Sequence, residues 1–207
     1  MSVAIAGGQY LWPDRTIAYV IDPALPDADR VTAAIQHWNQ HSVLRFVPRT
    51  NEADYVLVTR LPGCAISDVG RRGGEQKVCL GDGCSVGSII HELGHTAGLW
   101  HEHCRHDRDT FVTIDVTNIK DGCEQNFAID AIAEVPTPTV DVGAYDYGSI
   151  MHYPGTAFPI DPTLPNITPT HPLPAGIVMG QRVALSPGDL AAVATLYAGV
   201  PAPSGNG

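Results

Sequence analysis

A chain of 207 residues, 44% hydrophobic and 16% charged, has the make-up of a globular domain with one sizeable core. Its net charge of −10 argues against nucleic acid or an anionic membrane as partner. No apolar run approaches the ~20 residues of a membrane span. Residues 1–8 have neither the basic start nor the apolar run of a signal peptide, so an exported form has either lost its leader or leaves by another route.

Tyr10–Ile21 reads as a strand, because Ile17, Tyr19 and Ile21 alternate with their neighbours, and Asp22-Pro23 ends it. Asp27 or Asp29 can cap a helix to about His41, with Val31, Ala34, Ile35 and Trp38 as its apolar stripe. His37 and His41 are four apart on that helix. Without a flanking glutamate or a third ligand they read as surface histidines. Leu44–Val47 and Tyr55–Thr59 are rich in β-formers and read as strands. Pro62–Gly74 reads as a loop, and Gly70, Gly73 and Gly74 lack the G-K-[ST] of a phosphate site. Glu75–Leu80 reads as a short strand.

The next segment carries the chemistry. Ser85 or Ser88 can cap a helix whose core side is Ile90, Leu93 and Ala97. His91 and His95 lie four apart, so both rings project from one face and can reach one zinc ion. Glu92 sits beside the first ligand, where it can act on water without binding the metal. Gly98 can take the left-handed conformation that ends a helix, which lets His101 return as third ligand. Three protein ligands leave a position open, as in catalytic rather than structural zinc sites. A bare H-E-x-x-H also occurs in ordinary helices. The longer H-E-x-x-H-x-x-G-x-x-H, followed by Ser149-Ile150-Met151-His152-Tyr153, matches the metzincin signature with its Met-turn.

Beyond Glu102, Phe111–Val116 reads as a strand and Asn118–Phe127 as partly helical. Ala128–Val142 reads as irregular, and Pro154–Pro174 with its six prolines as mostly loop. The last helix is clearer. Ser186 caps it, Pro187 opens it, Asp189 completes a capping box, and Gly199 stops it.

With Glu102 after the third histidine, the chain resembles the astacin family. Gln9-Tyr10-Leu11-Trp12-Pro13, Arg105-His106-Asp107-Arg108-Asp109, Tyr145-Asp146-Tyr147-Gly148 and Gly180-Gln181-Arg182 fall in that family's order. The resemblance implies an α+β, zincin-like fold in a single catalytic domain, residues 1–200. An N-terminal lobe to about residue 101 would hold a twisted mixed sheet and two helices. A mostly irregular C-terminal lobe, 102–200, would carry one long helix, with the cleft between lobes and a flexible tail at 201–207. It implies a secreted, monomeric zinc endopeptidase with one catalytic Zn2+ on His91, His95 and His101. Glu92 would be the base and Tyr153 the hydrogen-bond donor to the transition state, or else Tyr153 is a core aromatic. Met151 would pack beneath the ligands, and Glu102 would be buried with a structural partner. Arg182 would favour Asp or Glu just after the cleaved bond, or else form a structural ion pair. A protein or peptide substrate would lie extended along Glu75–Leu80 as the sheet's edge strand. The competing reading is an inactive binding domain of the same family.

The resemblance also pairs Cys64 with Cys84. Cys104 and Cys123 fall outside the family's usual pattern and are expected to pair with each other. Cys79 is left over, close enough to Cys84 to compete for Cys64, so the connectivity stays open.

Overall fold

Six short parallel or antiparallel pairings and three α-helices organise the described residues, 2–63, 65–129 and 138–202, of this computed structural model. Pro13 opens a 3-10 turn, so the first long strand begins only at Thr16, later than the alternation suggested. The five-stranded sheet contains β2 (Thr16–Ile21), β3 (Arg45–Pro48), β4 (Tyr55–Arg60), β5 (Ile66–Ser67) and β6 (Glu75–Leu80), and β1 is Val3–Ile5. Its order is β3-β2-β4-β6-β5, parallel except for β5, which runs antiparallel to β6. The expected edge is therefore corrected. Val78 and Cys79 of this strand are paired on both sides, and the two-residue β5 forms the rim there.

Helix α1 (Asp29–His41) buries Val31, Ala34, Ile35 and Trp38, the stripe read from the sequence. Its N-cap is Ala28, with no capping side chain. Helix α2 (Val86–Thr96) lies against α1, and Trp38 Nε1 donates to Ile90 O at 3.1 Å across the contact. The main core joins Ile17, Val56, Val58 and Leu80 of the sheet to Ile89, Ile90 and Leu93 of α2. Burying such side chains contributes roughly 1.5–3 kcal/mol each. A second cluster, with Val112, Ile119, Phe127 and Ile167, surrounds the antiparallel pair β7 (Val112–Ile114) and β9 (Ile167–Pro169).

The N-terminal segment is a structural element that composition concealed. Val3–Ile5 pairs antiparallel with β8 (Thr139–Asp141). It also bonds to the chain just past α2, through Ile5 N to Gly98 O (2.8 Å) and Trp100 N to Val3 O (2.9 Å). Helix α3 (Pro187–Leu196) has the expected Ser186–Asp189 capping box. Asp189 does more than cap. Fully buried, it accepts from Ser2 Oγ (3.1 Å), Ser149 Oγ (2.6 Å), Ile150 N (2.9 Å) and Ser186 N (2.8 Å). One carboxylate thus joins the N-terminal segment, the Met-turn and α3. Glu102 is also fully buried. Its Oε1 accepts from Asp146 N at 2.8 Å, Arg105 Nε lies 3.9 Å away, and Oε2 has no hydrogen-bond partner.

The cysteines differ from expectation. Cys104 and Cys123 are free thiols, so the expected bridge between them is not formed here. Cys104 is buried with its Sγ toward Asn126 O at 3.5 Å, while Cys123 packs against the second apolar cluster. Cys84 is a free thiol as well, and Cys64, its expected partner, lies outside the described residues, as does the tail from residue 203.

Two measurements probe the buried carboxylates. Asp189→Ala strands four donors at once, and should cost roughly 3 kcal/mol or more in denaturant unfolding. A loss below about 1 kcal/mol would contradict the hub. Burial pushes Glu102 well above the usual carboxylate range, ahead of the opposing Asp146 amide and Arg105. The native state then holds a proton that the unfolded chain has released, so stability falls as pH rises above the unfolded value. Glu102→Gln keeps the acceptor for Asp146 N and cannot ionise. Its melting temperature should gain on wild type from about pH 5 to about pH 8, whereas a constant difference would contradict this coupling.

Candidate metal centre and catalytic cleft

Ser85 Oγ accepts from Ser88 N at 3.0 Å and starts α2 as the sequence implied. The helix is apolar enough to be buried nearly all round, which carries His91, Glu92 and His95 into the interior. Each ring is locked from behind. His91 Nδ1 meets Ile150 O at 2.8 Å, and His95 Nδ1 meets Leu99 O at 2.8 Å. A carbonyl only accepts, so both Nδ1 atoms carry the proton and both Nε2 atoms present a bare lone pair.

The third histidine arrives by a sharp reversal. Gly98 has φ +103°, and a Cβ there would come within 2.9 Å of Ile5 Cγ2, so both conformation and packing demand glycine. His101 then faces back, with its Nε2 3.2 Å from His95 Nε2. One ligand atom from each of His91, His95 and His101 lies within 4.8 Å of the others. Desolvation holds all three below the ordinary histidine range, His95 at about 4. Two fixed lone pairs and a third ring nitrogen within reach make a set of neutral nitrogen donors around one point. The donor set therefore fits a zinc ion.

Around this triad lies a cleft of ≈ 790 Å³, lined among others by Glu92, Tyr153 and Arg182, with β5 along its rim. Burial raises Glu92 to about 7, against a smaller opposing pull from Arg182. Met151 is fully buried under the helix, where a Cβ on Gly94 would meet its Sδ at 2.6 Å. The Tyr153 ring lies 4.4 Å from His101, and burial keeps its hydroxyl protonated well beyond the usual tyrosine range. Arg182 Nη1 donates to Ile150 O (2.8 Å), His152 O (3.1 Å) and Gln181 O (2.9 Å). Its backbone sits so close to α2 that a Cβ on Gly87 would fall 1.7 Å from Arg182 O.

Two neighbours escaped the sequence reading. His103 is fully buried, stacked on Tyr153 at 4.3 Å, with Nε2 on Asn126 O at 3.0 Å. His152 is buried with Nε2 2.6 Å from Tyr145 Oη. The run of ligand-type residues in His101-Glu102-His103-Cys104 was the available signal for the first. For His152 the motif offered no role.

The family model Astacin, a family of peptidases, matches residues 4–198. Bone morphogenetic protein 1 of Xenopus laevis is 39% identical over 90% of this chain, which spans 27% of that protein's length. Astacin-like metalloprotease toxin 1 of Loxosceles intermedia is 40% identical over 94% of this chain and 74% of its own. The solved structure of high choriolytic enzyme 1, a hatching enzyme zinc-protease from Oryzias latipes, superposes with a TM-score of 0.76 at 34% identity. That match covers 93% of this chain and 92% of that one. The histidine triad, the glycine reversal and the buried Met-turn thus sit inside a match spanning nearly the whole sequence, and the chain belongs to the astacin family of zinc metallopeptidases.

Proposed function

We propose that this domain is an active endopeptidase that binds one zinc ion through Nε2 of His91, His95 and His101 and cuts protein or peptide chains. The observation that carries this reading is the set of backbone carbonyls fixing two of the imidazole tautomers so that their lone pairs converge. When bound, zinc supplies Lewis-acid polarisation of the scissile carbonyl and makes water acidic near neutral pH. Glu92, desolvated at the cleft wall, takes the proton of the attacking water and passes it to the leaving nitrogen. The Tyr153 hydroxyl donates to the oxygen that gains charge in the transition state. Met151 supports the ligands from below, and Glu102 anchors the chain beyond them to Asp146.

Substrate lies extended along β5, whose backbone hydrogen bonds hold a main chain of any sequence. Arg182 selects an acidic residue just after the cut. Its Nη1 is anchored to three carbonyls, which sets the guanidinium plane at the cleft wall, and a planar fork grips a carboxylate with two parallel bonds. The protein's net charge of −10 repels acidic substrates, but salt screens that repulsion over ~8–10 Å. The domain works as a monomer outside the cell, a setting that fits a relative named as a toxin.

Two experiments test these roles. Glu92→Gln should retain one equivalent of zinc and lose about 10²–10⁴-fold in casein hydrolysis, since it removes the base alone. Comparable activity in the variant would refute that role. On a peptide library, wild type should enrich Asp and Glu after the cleaved bond, and Arg182→Ala should lose that enrichment. A flat wild-type profile, or a uniform drop without change of preference, would reduce Arg182 to a structural support for the Met-turn.

A further inference from the structure

Directly behind the first triad lies a second group of ligand atoms. One atom from each of His101, His103 and Cys104 falls within 4.8 Å of the others. His101 Nε2 faces His95 and belongs to the first site, which leaves Nδ1, buried and without a hydrogen-bond partner. His103 Nε2 meets the carbonyl of Asn126, so that nitrogen carries the proton and Nδ1 holds a bare lone pair. This Nδ1 is also buried and unpartnered. Cys104 Sγ has only a long 3.5 Å contact with the same carbonyl. Native interiors rarely leave two such nitrogens unsatisfied side by side.

The geometry points to a second metal site, formed by His101 Nδ1, His103 Nδ1 and Cys104 Sγ, for a borderline or soft divalent ion of the zinc class. The inference rests on the first triad holding its own zinc, with His101 bridging the two ions. Tetrahedral bonds of roughly 2.0–2.3 Å place donor atoms about 3.3–3.8 Å apart, so the three groups close on the ion as it binds. Nitrogen and sulfur donors exclude magnesium and calcium, which require oxygen. Binding releases one proton from the Cys104 thiol and one from His101 Nδ1, with no change of oxidation state. The thiolate and the imidazolate offset part of the charge of the two ions, the imidazolate being shared between them. His103 also stacks on Tyr153 at 4.3 Å and on His101 at 5.4 Å. Occupancy would stiffen Tyr153 and alter a ligand of the catalytic ion, so excess metal inhibits.

The test starts from protein carrying one zinc and adds Co2+ as probe. Wild type should take up a second equivalent and develop a thiolate-to-cobalt charge-transfer band in the near ultraviolet. Cys104→Ser should keep the first zinc and lose both the second equivalent and the band. His103→Gln, which retains the thiol, should also lose the second equivalent. Excess Zn2+ should depress kcat in wild type and leave Cys104→Ser unaffected. Saturation of wild type at one equivalent, a band undiminished in Cys104→Ser, or recovery of Cys104 in a disulfide would overturn the site. Purified protein holding no zinc at all would overturn the first-triad reading and, with it, the bridge.

Discussion

The cleft is arranged around three neutral imidazoles whose ring nitrogens converge inside the protein. His95 and His101 hold their Nε2 atoms 3.2 Å apart. With their protons on Nδ1, His91 and His95 turn their Nε2 lone pairs toward the same point, and the fold holds them there. It does so from the opposite side of the first two rings, with the carbonyls of Ile150 and Leu99. The first carbonyl belongs to the Met-turn and the second to the reversal after α2. Both act on their histidine through a directional backbone bond rather than through apolar packing, so backbone geometry sets the ligand orientation.

Those two segments are themselves tied down by buried carboxylates. Asp189 grips Ser149 and the amide of Ile150, and so fixes the carbonyl that orients His91. It reaches Ser2 as well, so placement of the N-terminal strand and orientation of a candidate metal ligand share one acceptor. Glu102 holds the amide of Asp146 just ahead of the Met-turn. Taking a carboxylate out of water is costly, and here desolvation outweighs the bonds in setting both protonation equilibria. A chain that buries two carboxylates this close to its cleft gains a defined geometry more than it gains stability.

What the sequence made legible follows the range of the forces involved. The stripe of α1, the Ser85 cap, the Gly98 reversal and the Ser186–Asp189 box are local, and each carries a residue type with a specific backbone consequence. The order of the motif residues in the chain, and their convergence on one cleft, followed from spacing and from the family likeness. The failures were non-local. Val3–Ile5 is a strand only because Thr139–Asp141 pairs with it far along the chain, and three residues carry no periodicity to read. The rim strand Ile66–Ser67 is shorter still and was hidden in a glycine-bearing loop. Cysteine pairing depends on separations that composition does not encode, and Cys104 and Cys123 remain free thiols where a bridge was expected. Asp189 looked like a cap because capping is local. Its remaining partners are assembled only by the fold.

The two kinds of support in the cleft divide rigidity from motion. His91 and His95 are held by short, directional bonds to carbonyls, which weaken steeply when a ring turns. Tyr153 is held differently. Its ring rests among His101 at 4.4 Å, His103 at 4.3 Å, Phe158 at 5.7 Å and Phe127 at 5.8 Å, in contacts of mixed tilt. Such contacts are non-directional and individually weak, so a change of ring angle exchanges one set for another at little cost. Phe158 completes this nest from a backbone with φ +49°, an unfavourable state for a residue with a Cβ. It persists because Lys120 N and the Ile119–Pro159 bridge fix the loop on either side. Strain therefore sits on the residue that shapes the aromatic nest, while the metal-facing rings rest in unstrained helix and turn. Bonds to carbonyls suit rings that must not move, and the aromatic nest suits the role proposed for Tyr153.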